Sequence, residues 1–160
     1  MIRKAVQEDA KSISEIRAAA WQKDFKGIIA DDYLASINTE KFKLLMSDTI
    51  ASEAEIFYVF EDKGNVLGFA SGVFLEGTYD CETRGLYVHP EYHGQGIGSE
   101  LFETLRTYFK ENECRNMVVK TLDGAPNNRF YLARKGTVAG HETLKIGGKE
   151  YQGVLFSFLL

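Results

Sequence analysis

The sequence predicts an α/β fold, a mixed sheet with helices packed against it, and three observations carry that reading. The chain changes period: apolar residues three and four apart in the first third give way to β-branched and aromatic runs in the middle. Helical and strand signals then interleave along the chain instead of segregating, which favours one layered structure. With 160 residues, 44% of them hydrophobic and 26% charged, the chain has ordinary globular composition. A chain of this size buries roughly 70% of its unfolded surface without disulfides or metal. Residues 1–160 are therefore expected to form a single domain.

The elements follow in order. Ile2 to Val6 reads as a short first strand. From Glu8 the pattern is helical, with Ala10, Ile13, Ile16 and Ala20 on one face, and Trp21, Phe25, Ile28 and Ile29 extend the apolar surface. Asp31 to Met46 reads as one second helical region anchored by Tyr33, Leu34, Ile37 and Phe42, and the acidic run Asp48 to Glu55 as a helix end and loop. Ile56 to Phe60 is aromatic and β-branched, Glu61 to Asn65 is turn chemistry, and Val66 to Phe74 completes a hairpin. Glu82 to Val88 is a third strand of this block. A glycine loop follows, then a helix with Ile97, Leu101, Leu105 and Phe109 on one face. Met117-Val118-Val119 marks a strand buried on both faces within Asn116 to Thr121, and Asn127 to Lys135 fits a short helix. Two last strands flank the turn Gly147-Gly148. The predicted order is β-α-α-β-β-β-α-β-α-β-β.

Bulk properties narrow the function. A net charge of −4 argues against a nucleic-acid-binding module, which presents a basic surface. Cys81 and Cys114 form no CxxC and make no disulfide framework, so they read as reduced core thiols. No apolar run approaches the roughly 20 residues of a spanning helix, and the N-terminus lacks a signal peptide's apolar stretch. The expectation is a cytoplasmic protein with no membrane partner. No HExxH, His/Cys/Asp cluster or EF-hand loop is present, so no metal is expected.

The segment Leu86-Tyr87-Val88-His89-Pro90-Glu91-Tyr92-His93-Gly94-Gln95-Gly96-Ile97-Gly98-Ser99 reads as strand, turn, glycine-rich loop and helix start. A helix N-terminus offers unpaired N–H groups and a partial positive charge, and glycines let a ligand approach the backbone, so the loop suits a phosphate. It is not a Walker loop, because Gly98 is followed by Ser99 with no lysine. It is not a dinucleotide fingerprint either: the third required glycine falls at 99, which is serine. On these residues alone, a plain glycine-rich turn stays open.

His93-Gly94-Gln95-Gly96-Ile97-Gly98, reached through Leu-Tyr-Val-His-Pro-Glu-Tyr, resembles the Q/R-x-x-G-x-G/A acetyl-CoA motif of the GNAT N-acetyltransferase superfamily. Ile2-Arg3-Lys4-Ala5 with Asp9-Ala10 resembles its opening strand and helix. Asn127-Asn128-Arg129-Phe130-Tyr131 with Gly136 resembles its later Asn…Phe-Tyr…Gly element. The resemblance implies a GNAT-like, mostly antiparallel central sheet with flanking helices. It also implies acetyl-CoA as acyl donor, and direct transfer to a primary amine of a small molecule or peptide with no acyl-enzyme.

Carried onto these positions, the amides from His93 through Gly94, Gln95, Gly96, Ile97 and Gly98 to Ser99 bind the pyrophosphate. The backbone of Leu86, Tyr87 and Val88 pairs with pantetheine in a gap between two splayed strands, with Gly85 as a bulge beside it, and a backbone N–H near Val88 holds the oxyanion. His93 departs from the family's usual Gln or Arg. Tyr131 is the implied general acid toward the leaving thiolate, whereas its apolar neighbours alone would have it pack. Asn127 and Asn128 are the implied pantetheine ligands, with helix capping the alternative for either.

An amine of lysine-like pKa is neutral in roughly one molecule in a few thousand at pH 7, so a base helps. Glu82 is the first candidate, a solvated strand-end carboxylate its other reading, and Asp80 and Glu76 are weaker ones. Trp21 and Phe25 are implied to wall the acceptor pocket, or Trp21 to anchor the core. A homodimer is compatible with such a fold. The rival functions are a non-catalytic acyl-CoA-binding or sensor module and a nucleotide-binding protein.

Overall fold

The computed structural model describes residues 1–160. In chain order the elements are β1 (Ile2–Lys4), α1 (Ala10–Asp24), α2 (Asp31–Ala35), α3 (Thr39–Ala51), β2 (Ile56–Asp62), β3 (Asn65–Phe74), β4 (Cys81–Val88), α4 (Ile97–Glu111), β5 (Asn116–Leu122), α5 (Asn128–Ala133), β6 (Thr137–Ile146) and β7 (Lys149–Leu159). Short 3-10 turns at Gln7–Asp9 and Pro90–Tyr92 lead into α1 and the glycine loop. The strands form one sheet in the order β1-β2-β3-β4-β5-β7-β6. Every neighbouring pair is antiparallel except β4 and β5. The predicted mixed, mostly antiparallel sheet is thus observed.

One element differs from expectation. The region from Asp31 to Met46 is two helices, α2 and α3, not one. Asn38 caps the second: its Oδ1 accepts from the Lys41 N–H at 3.0 Å, satisfying a first-turn donor that has no acceptor within α3.

Helices cover both faces of the sheet, and β3 shows why. Successive side chains of a strand point to opposite faces. Phe69 joins Ile13, Ile16, Met46 and Phe57 under α1 and α3. Ala70 joins Leu101, Phe102, Leu105 and Phe109 of α4 on the other face. Each fully buried side chain of this α4 stripe contributes roughly 1.5–3 kcal/mol. The helix lies close because β3 offers it Gly72, where a Cβ would stand 2.7 Å from the Phe109 ring. A third cluster, Phe25, Ile29, Leu34, Leu122 and Ala125, pins the segment after α1 to the end of β5. No helix is long and apolar enough to cross a membrane.

The feature that positions the site is a parting of β4 from β5. The two strands pair only from Cys81–Thr83 to Met117–Val119. Immediately beyond, the β3–β4 ladder shifts register: Gly72 faces Thr83 but Ser71 faces Gly85, leaving Arg84 as the extra residue of a bulge. From there Gly85 to Val88 runs on paired with β3 alone.

Candidate active site

The parted stretch of β4 exposes hydrogen-bonding backbone. His89 N donates to Leu67 O at 2.8 Å, in register with the pairs Gly68–Val88, Phe69–Tyr87 and Ala70–Leu86. In an antiparallel ladder, alternate residues turn both their N–H and C=O away from the partner strand. Leu86 and Val88 therefore present theirs to the gap left by β5. Val88 O is occupied by the His93 ring, whose Nε2 lies 2.8 Å away and donates when it carries the proton. His93 thus folds back onto its own strand, which leaves the loop's anion-binding capacity to backbone amides.

Those amides are aimed by two left-handed residues, Gly94 at φ 78° and Gly96 at φ 83°, the latter capping α4. A side chain at Gly96 would cost roughly 1–2 kcal/mol in this conformation. Ile97 is buried in the core and holds the first turn of α4 down. Ser99 Oγ accepts a hydrogen bond from Arg134 Nη2. The Arg134 guanidinium stacks 3.5 Å above the Phe130 ring and forms no ion pair with a carboxylate.

Two clefts meet here. The first, of about 280 Å³, is lined by the loop (His93, Gly94, Gly96 and Gly98 with Ser99), by Leu86 to Val88, and by Asn127 and Tyr131. Ala20, Asp24 and Phe25 close it from the end of α1. The second, of about 50 Å³, lies in the crack between β4 and β5 beside the bulge. Phe25, Leu86, Tyr87, Asn127 and Tyr131 line both.

The expected residues separate accordingly. Tyr131 stands on the shared wall, packed against Phe102, Phe130, Phe156 and Phe158, and its hydroxyl makes no hydrogen bond within the protein. Burial pushes its phenol well above the ordinary tyrosine range. The two asparagines part company. Asn128 is tied inward, its Oδ1 accepting from Thr121 Oγ1 at 2.7 Å and its Nδ2 donating to Leu122 O at 2.9 Å. Asn127 Oδ1 is the one buried side-chain polar atom with no partner, and Asn127 lines both clefts. A buried acceptor left unpaired costs about 1–3 kcal/mol, which a ligand donor would recover.

Phe25 lines both clefts, while Trp21 stands behind, its Nε1 donating to Tyr87 Oη at 3.0 Å. Gln95 is exposed and lines neither cleft. Glu82 also lies outside both linings, with its Oε2 3.7 Å from Arg84 Nε. Asp80 is committed to structure: its Oδ2 accepts from Arg115 N at 2.8 Å and Asn116 N at 3.1 Å, bonds that lower its pKa. Cys81 is fully buried and its thiol pushed far up by that burial, which removes it as a nucleophile.

Sequence reasoning passed over Asp24 and Arg134, and named Phe130 only as part of the Asn…Phe-Tyr…Gly element. Asp24 is the single carboxylate lining either cleft. Neither Asp24 nor Arg134 sits in a local pattern that announces it; each acquires its place through the packing of α1 and α5 against the loop.

An amide-lined loop, an orphaned buried acceptor and an unpaired strand edge fit a long, phosphate-bearing, amide-containing ligand. Comparison with known proteins agrees. A family model described as Acetyltransferase (GNAT) family matches residues 16–137. An uncharacterized N-acetyltransferase, YuaI, of Bacillus subtilis is 27% identical over 150 residues, covering 92% of this chain and 86% of the relative. A spermidine N(1)-acetyltransferase of Thermoplasma acidophilum is 25% identical over 122 residues, 71% of this chain and 74% of the relative. Among solved structures, PaiA N-acetyltransferase of Thermoplasma acidophilum in complex with coenzyme A has a TM-score of 0.78 at 18% identity, covering 100% of this chain and 98% of that one.

Proposed function

The chain belongs to the acetyltransferase (GNAT) family, and from that premise we propose that it moves an acetyl group from acetyl-CoA directly to a primary amine of a small molecule or peptide. The observation that carries the reading is one cleft running from the amide cradle at Gly94–Ser99 to the unpaired Asn127 Oδ1 and the free Tyr131 hydroxyl.

When bound, acetyl-CoA supplies an activated acyl carbon and a thiolate leaving group. The residues do the rest. The N–H groups at the start of α4 hold the pyrophosphate, and Arg134, fixed by Ser99 and Phe130, sets a cation beside them. The free backbone of Leu86 and the Oδ1 of Asn127 receive the pantetheine amides, the Val88 carbonyl being taken by His93. The Val88 N–H faces the gap and is placed to hold negative charge developing on the thioester oxygen. Tyr131 donates its proton toward the departing sulfur. Phe25 walls the acceptor side with Trp21 behind it. Glu82, outside both clefts, takes the ammonium proton through water, and Asp24 offers a second exit within the first cleft.

Acetyl-CoA should raise the melting temperature by mass action, by about 2.7 kcal/mol of stability at 100 times Kd. A free-thiol release assay across amines, amino acids, polyamines and peptide N-termini should show turnover. No melting shift at millimolar acetyl-CoA overturns the cofactor reading. A shift without thiol release for any amine overturns the enzyme and favours a binding module.

The asparagines supply an internal control. Asn127→Ala should weaken acetyl-CoA binding about tenfold, or about 1.4 kcal/mol, while the ligand-free protein melts no lower, because the lost acceptor has no partner. Asn128→Ala should do the reverse, losing about 2 kcal/mol of stability with its two hydrogen bonds and leaving affinity intact. Calorimetric titration and thermal melts on both variants check this, and equal effects from the two would remove Asn127 as a ligand.

A further inference from the structure

The second cleft shares Tyr131 with the first, and its lining carries a charge signature. Of its polar side chains, Thr121 is bonded to Asn128, Thr83 Oγ1 lies 3.2 Å from Met117 Sδ, and Tyr87 Oη accepts from Trp21. Asn127 and Tyr131 belong to the shared wall. The remaining polar side chains are Arg84 and Lys120, one from each of the parted strands, and no carboxylate lines this cleft.

Both cations are loosely held. Arg84 Nε stands 3.7 Å from Glu82 Oε2 and Lys120 Nζ 3.8 Å from Glu142 Oε1, beyond hydrogen-bond length. Neither side chain donates a hydrogen bond to any protein group, and both are partly exposed. The two carboxylates hold the cations only loosely and leave their N–H groups with unused hydrogen-bonding capacity. A planar guanidinium with unused donors suits bidentate recognition of a carboxylate or phosphate. The bulge gives the arrangement its reason: the extra residue in β4 is Arg84 itself, set at the point where the strands separate.

We propose that the second cleft is the acceptor site and that Arg84 and Lys120 select an amine that also carries an anionic group, such as an amino acid. This rests on the N-acetyltransferase reading above and sharpens it. A polyamine would bring positive charge against two loosely paired cations, so the acceptor differs in chemistry from the one named for the spermidine N(1)-acetyltransferase relative. At about 50 Å³ the cleft admits a compact head group.

The test uses amines of matched length with different far ends: 4-aminobutanoate, butylamine and 1,4-diaminobutane, with glycine and β-alanine to vary the spacer. Acetyl-CoA binding is followed separately by thermal shift. Free-thiol release should give at least one carboxylate-bearing amine a kcat/KM about tenfold or more above butylamine, with the diamine lowest. Butanoate, which has no amine, should inhibit competitively against the amine but not against acetyl-CoA. The double variant Arg84→Glu, Lys120→Glu changes two exposed side chains. It should keep its acetyl-CoA thermal shift, lose butanoate inhibition and turn the preference toward the diamine. A diamine preference in the unsubstituted protein overturns the proposal. So does an order that the double variant leaves unchanged, or acetyl-CoA binding with no carboxylate-bearing amine acetylated. Loss of acetyl-CoA binding in the unsubstituted protein instead marks failure of the underlying cofactor reading, and the proposal falls with it.

Discussion

Tyr131→Phe should lower kcat by about 10²–10⁴-fold, the usual worth of a positioned general acid, while the Kd for acetyl-CoA stays within about twofold of its original value. The split follows from what surrounds the residue. The ring sits among Phe102, Phe130, Phe156 and Phe158, with centroids 5.4–6.2 Å away, and phenylalanine keeps those contacts. The hydroxyl bonds to nothing in the protein, so its loss orphans no partner and should not destabilise the fold. Only a group that meets the leaving sulfur loses its function. The pH dependence has a defined sign. Burial raises the phenol's pKa, so the proton-bearing form persists above neutrality and Tyr131 causes no fall in rate below about pH 10. The rate should instead rise with pH as the acceptor ammonium deprotonates. Steady-state kinetics from pH 6 to 9.5 check both statements. An unchanged kcat in a rate-limiting chemical step would remove Tyr131 from the proton transfer.

The sheet and its order were legible because period and turn chemistry are local properties. Gly147-Gly148 announces the last hairpin, and the α4 stripe reads directly as 3.6-residue periodicity. The α2–α3 boundary was not legible. No glycine or proline marks it, and the Asn38 cap that starts α3 is only one polar residue among several. The loop was legible for a related reason. Its chemistry is backbone chemistry, carried by residues consecutive in sequence.

Side-chain placement on β4 shows where such reading stops. Simple alternation would set Glu82 on one face with Leu86 and Val88. The bulge at Arg84 breaks that parity. Cys81 packs into the cluster beneath α4, and so, beyond the bulge, do Leu86 and Val88. Glu82 is thereby turned to the face opposite Cys81, Leu86 and Val88, and it lines neither cleft. A one-residue insertion in a ladder depends on the partner strand and has no signature within β4 alone, although Gly85 hints at its position. Asp24 and Arg134 were hidden for the same reason: their neighbours come from other elements.

Gly98→Asp should raise the Kd for acetyl-CoA about 100-fold, or about 2.7 kcal/mol, with no loss of stability in the ligand-free protein. A Cβ at Gly98 would meet only Val88 Cγ2 at 3.6 Å and Phe130 Cε2 at 3.9 Å, ordinary contacts that force no rearrangement. Gly98 lies in the first turn of α4, and an aspartate there interacts favourably with the helix dipole, by about 0.3–1 kcal/mol. The variant should therefore melt at the same temperature or slightly higher. The same carboxylate would stand inside the first cleft, competing with the pyrophosphate for the N–H groups and repelling its charge. Stability and affinity thus move in opposite directions from one substitution, which a general packing defect cannot produce. Gly98→Ala separates the contributions: it adds the Cβ without the charge and should cost little affinity. Titration calorimetry with acetyl-CoA and thermal melts of both variants measure the two quantities. Binding by Gly98→Asp within about threefold of the unsubstituted protein would mean that the pyrophosphate lies elsewhere, and the loop that anchors the functional reading would revert to a glycine-rich turn.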